Sequence, residues 1–419
     1  MTASERTTGG QVTDEPDGGA RTGEGPDGGA RTGDGQAVNR QADGAQAVNR
    51  QADGARTVSG PVPEELPAYV YDLAGLDAHM SAVREALGDV ELYYAVKANP
   101  DPNLLRVVAR HVDGFEVASA GELAHVRELF PGMPVALGGP GKTGAELLSD
   151  VTRLHVESPN ELRRLLATGR PADLLLRVNL DVPVEGASLA MGGGATPFGM
   201  DPDGVAECVA MLERQDTVRL RGVHAHLASG LDASALLELA AAVLEYARGL
   251  GVSEINLGGG MAVSYADPAA RFDWRAYGAG LARLRRPGEV LRIEPGRSLT
   301  VYCGRYVTRV IDVKRVHGEL FAVVAGGTHH LRTPATKGHS QPLAALPPGE
   351  PVTIVGQLCT PKDVLARNVP VALAPGDVVE FTMAGAYAWN ISHHDFLMHP
   401  APGFHYLPVE AAGWRSAPA

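Results

Sequence analysis

Several residue types are scarce in this chain of 419 residues, and each scarcity argues against a class of protein. Its three cysteines, Cys208, Cys303 and Cys359, are widely spaced, which argues against a disulfide framework or a structural zinc site and favours a reducing cytoplasm. No run of about 18 apolar residues occurs, and the N-terminal segment lacks a signal-peptide core, so we expect neither a membrane span nor export. The formal net charge of -12 disfavours nucleic acid or an anionic membrane as a partner.

Lysine is also scarce, because only five of the 37 basic residues are lysines. Lys97 ends the apolar segment 91–97, which reads as a buried strand, and Asn99 and Pro100 punctuate its end. At the mouth of a core, desolvation is expected to lower the pKa of this lysine and make the neutral amine nucleophilic. The alternative is a lysine whose apolar stem is buried while its ammonium reaches solvent.

The first 60 residues do not have the composition of a folded segment. Residues 16–23 recur at 26–33, and residues 36–45 recur at 46–55, with many Gly, Asp, Gln and Arg residues and almost no large apolar ones. Such repeats cannot offset the entropy of ordering, so we expect a disordered tail over residues 1–60. A solenoid would need recurring core residues, which are absent.

Strands and helices alternate from about residue 85 to residue 300, which favours a closed (β/α)8 barrel over an open doubly wound sheet with fewer strands. The predicted strands are 91–97, 113–117, 134–137, 154–156, 173–178, 219–226, 252–257 and 290–295. The predicted helices include 102–111, 119–129, 159–168, 201–214, 232–250 and 270–285. Ser119 and Ser158, each followed three residues later by a glutamate, have the pattern of a capping box.

The pattern changes after about residue 305. Short apolar runs at 306–313, 320–325, 352–355 and 377–381 are separated by Gly and Pro turns, which predicts an all-β C-terminal domain. We therefore expect the barrel over residues 61–304 and the β-domain over residues 305–419. The segment 66–72 precedes the barrel and is a candidate extra strand of the β-domain.

Functional groups in such barrels gather at the carboxyl ends of the strands. There, the backbone of Gly258, Gly259 and Gly260 can close around an anion, and Ser229 and Arg297 would complete a phosphate cup. Glu294 is a carboxylate that could keep a ring nitrogen protonated. Taken singly, glycine-rich turns and rim carboxylates are common. Combined with Lys97, they describe a site for pyridoxal phosphate, in which the lysine forms a Schiff base and the carboxylate strengthens the ring as an electron sink.

Six motifs occur in an order that resembles the alanine-racemase-fold (fold-type III) pyridoxal phosphate decarboxylases, the group of diaminopimelate and ornithine decarboxylase. The motifs are Tyr94–Asn99, His226–Ser229, Gly258–Gly260, Glu294–Arg297, Cys359–Asp363 and Gly385–Tyr387. The resemblance covers roughly residues 65 to 410. It implies a pyridoxal phosphate cofactor, an amino-acid substrate, and a homodimer with shared active sites.

The resemblance also implies roles for individual residues. Lys97 resembles the lysine that carries the cofactor, and His226 the residue stacked on its ring. Ser229, the Gly258–Gly260 loop, Arg297 and Tyr387 resemble the phosphate contacts, and Glu294 the partner of the ring nitrogen. Cys359 resembles the cysteine that returns a proton to the substrate carbon from the other subunit; without the resemblance it would read as a small buried hydrophobe.

The chain departs from this family directly after that cysteine. Diaminopimelate and ornithine enzymes carry an acidic residue where this chain has Thr360, although Asp363 remains at the later acidic position. One carboxylate fewer weakens the case for a substrate with a distal amine. Diaminopimelate or ornithine/lysine decarboxylation therefore stays as the alternative.

Three other segments, 191–199, 326–330 and 390–397, resemble a subgroup found in siderophore pathways, whose members decarboxylate amino acids condensed with citrate or similar carboxylate-rich amino acids. Basic side chains on and beside these segments would suit an anionic distal group. They are His329, His330, Arg332, Lys337, His393 and His394. The alternative is that they belong to ordinary surface loops.

Other functions fit the sequence less well. His224 and His226 could bind zinc in a barrel hydrolase, but such a pair normally lies on the first barrel strand, and here it follows the sixth. An amino-acid racemase on the same fold conflicts with the Cys359–Asp363 segment. A silent cofactor-binding regulator conflicts with the filled catalytic positions.

Overall fold

The computed structural model describes residues 60–182, 189–190, 192–332 and 340–408. The disordered tail expected for residues 1–60 lies almost wholly outside these residues, as do Met191 and Lys337. Within the described ranges, each helix is too short or too polar to cross a bilayer.

Buried apolar runs of three to eight residues, ended by Gly, Pro or polar turns, form most of the strands. The strands are β1 (Ala68–Asp72), β2 (Glu91–Ala95), β3 (Gly114–Val117), β4 (Val135–Leu137), β5 (Arg153–Val156), β6 (Ala172–Arg177), β7 (Leu189–Ala190), β8 (Val218–His224), β9 (Ala228–Ser229), β10 (Glu254–Asn256), β11 (Val290–Ile293), β12 (Gly304–Val316), β13 (Glu319–Val324), β14 (Pro348–Val355), β15 (Val364–Val371), β16 (Val378–Phe381) and β17 (Gly403–Leu407).

The α-helices alternate with the strands up to residue 300. They are α1 (Leu73–Leu87), α2 (Pro102–Val108), α3 (Ala120–Leu129), α4 (Gly144–Leu147), α5 (Pro159–Ala167), α6 (Pro202–Leu212), α7 (Ala233–Gly249), α8 (Trp274–Leu284) and α9 (Arg297–Thr300). Ser119 and Ser158 cap α3 and α5, because each side chain accepts a hydrogen bond from the backbone N–H three residues on. The side chains of Glu122 and Glu161 in turn accept hydrogen bonds from the backbone N–H groups one residue before each cap, at Ala118 and Glu157.

Eight parallel strands close into a barrel in the order β2-β3-β4-β5-β6-β8-β10-β11, with β11 pairing back onto β2. This confirms the (β/α)8 barrel, and each barrel strand lies within two residues of its predicted bounds. Pairing places Asn256 of β10 beside His224 of β8 and Arg292 of β11. The carboxyl ends of these neighbouring strands therefore meet at one mouth.

A second, mostly antiparallel sheet follows the barrel in sequence and confirms the expected β-rich C-terminal part. Its order is β15-β14-β13-β12-β1-β17, with β16 also paired to β12. Strand β1, which precedes the barrel, pairs with β12 in antiparallel fashion and with β17 in parallel fashion. The chain thus enters the barrel from the second sheet.

Candidate active site

A cavity of about 480 Å³ opens at the carboxyl-terminal mouth of the barrel. Polar side chains from several strand ends line it, and most of the predicted cofactor residues are among them, whereas none of the predicted substrate residues or Cys359 is. The predicted residues that line it are Lys97, His226, Ser229, Gly259, Gly260, Glu294, Arg297 and Tyr387. Gly258 lies in the same loop, directly before Gly259.

Lys97 follows β2 in a short 3-10 turn, and its Nζ lies 2.5 Å from Oε2 of Glu116. Desolvation is the largest single effect and disfavours the charged amine, but Glu116, Tyr387 and Glu294 together outweigh it and raise the pKa of Lys97. The expectation of a lowered pKa was therefore wrong. The sequence indicated that Lys97 lies at the edge of a buried core, but it did not indicate that the Glu116 carboxylate faces it.

Glu294 follows β11 and is buried beneath the cavity. Its Oε1 accepts a 2.6 Å hydrogen bond from Asn256 Nδ2, and its Oε2 lies 3.0 Å from His224 Nε2. The rings of His224 and His155 stack at 4.2 Å with an interplanar angle of 18°. A carboxylate held in this way can face a cationic ring nitrogen in the cavity.

The glycine loop after β10 gives the cavity a backbone wall. Gly258 and Gly260 have φ of +67° and +105°, which L side chains rarely adopt. A Cβ on Gly260 would lie 2.3 Å from the carbonyl oxygen of Ala228, so this position accepts no side chain. The tight approach leaves room for a small anion against the backbone, which fits the phosphate of pyridoxal phosphate.

His226 is fixed in one tautomer by the same loop. Gly259 N donates to His226 Nδ1 at 2.9 Å, and His226 Nε2 lies 3.3 Å from Ser229 Oγ. Burial, with Arg177 and Lys97 nearby, lowers the pKa of His226 to about 3. The ring is therefore neutral, with its proton on Nε2, and can lie against a flat cofactor without adding charge.

Arg297 begins α9 and is held between two tyrosines. Its Nη1 donates to the Tyr265 hydroxyl at 2.8 Å, and its guanidinium lies 4.5 Å from the centre of the Tyr387 ring. The neighbouring Ser298 also lines the cavity. This places a fixed cation beside the glycine loop, as an anion site requires.

Sequence reasoning missed several polar residues that line the cavity. Glu116 and His155 lie within β3 and β5, and Arg177 ends β6. Arg177 donates to the buried Glu157 at 2.9 Å and lies 5.0 Å from the ring centre of Phe198. The available signal was a polar residue near the carboxyl end of an otherwise apolar strand.

The Cys359–Asp363 segment does not reach this cavity within one chain. Cys359 is exposed, and Thr360 accepts a backbone bond from Asp363 N at 3.1 Å. The Asp363 carboxylate is buried and accepts bonds from the backbone and hydroxyl of Thr328 and from Leu358 N. Asp363 thus links the loop that contains Thr328 to its own loop, and Cys359 is exposed to solvent.

The predicted histidines form a cluster beside the second sheet. His329 is fully buried, with its ring centre 4.0 Å from that of His330 and 5.0 Å from that of His399. His330 lies 3.1 Å from the Tyr306 hydroxyl and 2.8 Å from the carbonyl oxygen of Pro400. His393 is exposed and packs edge-on against Phe396.

Residues 387–392 connect this cluster to Lys97. Asn390 Nδ2 donates to the Lys97 carbonyl at 2.8 Å, and Ser392 Oγ donates to the His329 carbonyl at 2.8 Å. The ring of Trp389 lies 4.7 Å from that of His394 and 6.0 Å from that of His330. The histidine cluster and the lysine are therefore held by one continuous stretch of chain.

Comparison with known proteins agrees with this geometry. Residues 73–301 match the family described as pyridoxal-dependent decarboxylase, pyridoxal binding domain. The chain is 38% identical over 388 residues to 2-[(L-alanin-3-ylcarbamoyl)methyl]-2-hydroxybutanedioate decarboxylase of Staphylococcus aureus, covering 83% of this chain and 97% of that protein. It is 34% identical over 347 residues to diaminopimelate decarboxylase of Actinosynnema pretiosum, covering 77% and 79% of the two chains. A crystal structure of Helicobacter pylori diaminopimelate decarboxylase shares the fold, with a TM-score of 0.75, 24% identity, and coverage of 82% and 92%.

Proposed function

Because the chain belongs to the pyridoxal-dependent decarboxylases and is an amino-acid decarboxylase, we propose that its substrate is an amino acid joined to a citrate-like, carboxylate-rich group. Such a substrate places the enzyme in siderophore assembly or related secondary metabolism. The three cysteines are free, which supports the proposal of a reducing cytoplasm as its location.

The observation that carries the substrate proposal is the similarity to the staphylococcal enzyme, and His329 is the clustered histidine that fits it. Both ring nitrogens of His329 are buried without a hydrogen-bond partner among the described residues. Burial and His399 lower the pKa of His329 to about 4, so it is neutral near pH 7. A buried imidazole without partners costs free energy that an anionic ligand would recover.

The similarity to the staphylococcal enzyme supports the same substrate class. The name of that relative describes a citrate skeleton bound through an amide to the third carbon of alanine. Thr360 fits this class, because a carboxylate at that position would repel an anionic distal group.

Pyridoxal phosphate, when bound, supplies a ring that accepts the electrons left on the substrate carbon as carbon dioxide departs. Lys97 would hold the cofactor covalently and Glu294 would keep a proton on the ring nitrogen. Arg297, Ser229, Tyr387 and the Gly258–Gly260 loop would bind the phosphate, and His226 would lie against the ring.

Cys359 would return a proton to the substrate carbon from a second subunit. Its exposure, away from the Lys97 cavity of its own chain, supports a homodimer with shared sites. Mixing Lys97→Ala and Cys359→Ala subunits should restore about one quarter of wild-type activity, because half of the dimers then contain one complete site. No recovery on mixing would refute the shared site.

The substrate test incubates the holoenzyme with the citrate amide of 2,3-diaminopropionate and, separately, with meso-diaminopimelate, ornithine and lysine. We expect carbon dioxide release from the citrate amide alone, and none from the Lys97→Ala control. Selective turnover of a free diamino acid would overturn the substrate proposal and leave the decarboxylase assignment intact.

A further inference from the structure

The six buried glutamates of the described chain differ in how their charge is compensated. Five have a Lys or Arg partner within 3 Å, and Glu294 has none. The five pairs are Glu116–Lys97, Glu157–Arg177, Glu161–Lys142, Glu254–Arg292 and Glu380–Arg305. Buried charges normally need a partner, and Lys97 acts on Glu294 only at longer range, so Glu294 is the buried glutamate of the described chain without a directly bonded cation.

The partners of Glu294 are neutral donors. Asn256 Nδ2 donates to one oxygen at 2.6 Å, and His224 Nε2 lies 3.0 Å from the other. Facing His224 are the cationic or titratable groups of His155, Arg177, His226, Lys97 and Lys142. Burial, and then the nearby Arg177, hold the pKa of His224 well below its usual range, so the ring is an imidazole that donates from Nε2.

The plane of the His224 ring is fixed by stacking against the ring of His155. His155 stacks on it at 4.2 Å, nearly parallel, and burial keeps the pKa of His155 well below its usual range. His155 Nε2 is itself 3.7 Å from Glu294 and has no hydrogen-bond partner in the described chain. The ligand atoms of His155, His224 and Glu294 lie within 4.8 Å of one another, and His224 Nε2 faces a Glu294 oxygen at hydrogen-bond distance.

The buried Asp363 also has only neutral donors, but these come from Thr328 and Leu358, which do not line the cavity. Glu294 differs because it lines the cavity, and its two oxygens face one donor from β10 and one from β8. The arrangement keeps the carboxylate oriented without cancelling its charge.

We propose that His224 and Asn256 are positioning residues. They orient the Glu294 carboxylate, which has no directly bonded cation, toward a cationic ring nitrogen, and His155 fixes the ring of His224. The inference rests on the proposed role of Glu294. A cationic partner in place of His224 would neutralise Glu294, and an apolar one would leave one of its oxygens without a donor.

The test reads the ring nitrogen itself. Holoenzyme is prepared with ring-15N pyridoxal phosphate, and the 15N chemical shift reports whether that nitrogen is protonated. His224→Phe keeps a ring on His155 but removes the donor, so the resonance should move toward the unprotonated value and kcat should fall about 10- to 100-fold. His224→Gln offers an amide N–H in place of Nε2 and should restore the protonated resonance.

The matched control is His111→Phe. His111 also bonds a carboxylate, Asp77 Oδ1 at 2.6 Å, but it does not line the cavity, so its loss should leave the resonance unchanged. Asn256→Ala removes the other donor of Glu294 and gives the same test should His224→Phe not fold.

Glu294→Gln separates the two proposals. If Glu294→Gln shifts the resonance while His224→Phe and Asn256→Ala leave it at the wild-type value, the positioning role is wrong and the role of Glu294 stands. If Glu294→Gln itself keeps the protonated resonance and full turnover, the proposed role of Glu294 is refuted, and the positioning role that depends on it is refuted with it. A protonated nitrogen that is lost in His224→Phe and restored in His224→Gln supports the inference.

Discussion

Replacing Glu254 by glutamine should destabilise the barrel strongly, because Glu254 is the centre of a buried ion-pair network. It accepts from Arg153 Nε and Nη2 at 2.8 Å each and from Arg292 Nη1 at 2.7 Å. The side chains of Glu254 and Arg292 are only 8% and 3% exposed. The substitution leaves two arginines short of a countercharge at the amino-terminal end of the barrel.

Breaking a buried pair by removing one partner costs about 3–5 kcal/mol. Each arginine keeps one other carboxylate, because Arg292 also bonds Glu91 and Arg153 lies 3.6 Å from Asp173. We therefore expect the lower end, about 3 kcal/mol, in the free energy of unfolding. Urea titration at equal protein concentration measures it.

The matched control is Glu350→Gln, which breaks a bidentate pair with Arg315 whose side chains are 54% and 47% exposed. Exposed pairs are screened by solvent and contribute little to stability, so this variant should unfold close to the wild type. Equal losses in the two variants would refute the reasoning that burial sets the size of the effect.

The dependence on pH gives a second check of the same prediction. Desolvation opposes ionisation of Glu254, but the hydrogen bonds and charges of Arg153 and Arg292 outweigh it and lower its pKa. A lowered pKa contributes stability above the unfolded value near 4.3, and this contribution is lost as pH falls through the folded pKa. The difference between the wild type and Glu254→Gln should therefore shrink in acid.

Two further predictions concern the cavity. Gly260→Ala should weaken retention of pyridoxal phosphate about tenfold in equilibrium dialysis, because a Cβ there meets the carbonyl of Ala228 at 2.3 Å on a strained backbone. The control is Gly288→Ala, where φ is +86° but no atom lies within 4 Å of the added Cβ. This control should retain the cofactor. Glu116→Gln should lower the pKa of Lys97 and raise the rate of covalent cofactor capture near pH 7 about two- to fivefold, since a pair with a half-exposed lysine is worth about 0.5–1 kcal/mol. An unchanged capture rate would contradict the pairing.

Most of the fold could be predicted from sequence because its signals are local. Parallel strands buried on both faces are short apolar runs, and Gly, Pro and capping serines mark where they and the helices end. The glycine loop, Lys97, Glu294 and Arg297 could be placed at one mouth for the same reason, since each directly follows a recognisable barrel strand.

The polar residues inside the strands could not be assigned in this way. Glu116, His155 and Arg177 read equally well as rim residues, since their meaning depends on what faces them across the barrel. The partners Glu294 and His224 are 70 residues apart in sequence. Their meeting follows from barrel closure, which no local pattern encodes.

The amino-acid sequence by itself determined the barrel, the second sheet and the order of the cofactor motifs, because these depend on periodicity and on residues adjacent in the chain. Only the tertiary structure decided the charge states, because pKa values depend on distances through space. It turned the expected lowered pKa of Lys97 into a raised one beside Glu116, and it left Glu294 the one buried glutamate of the described chain without a cationic partner.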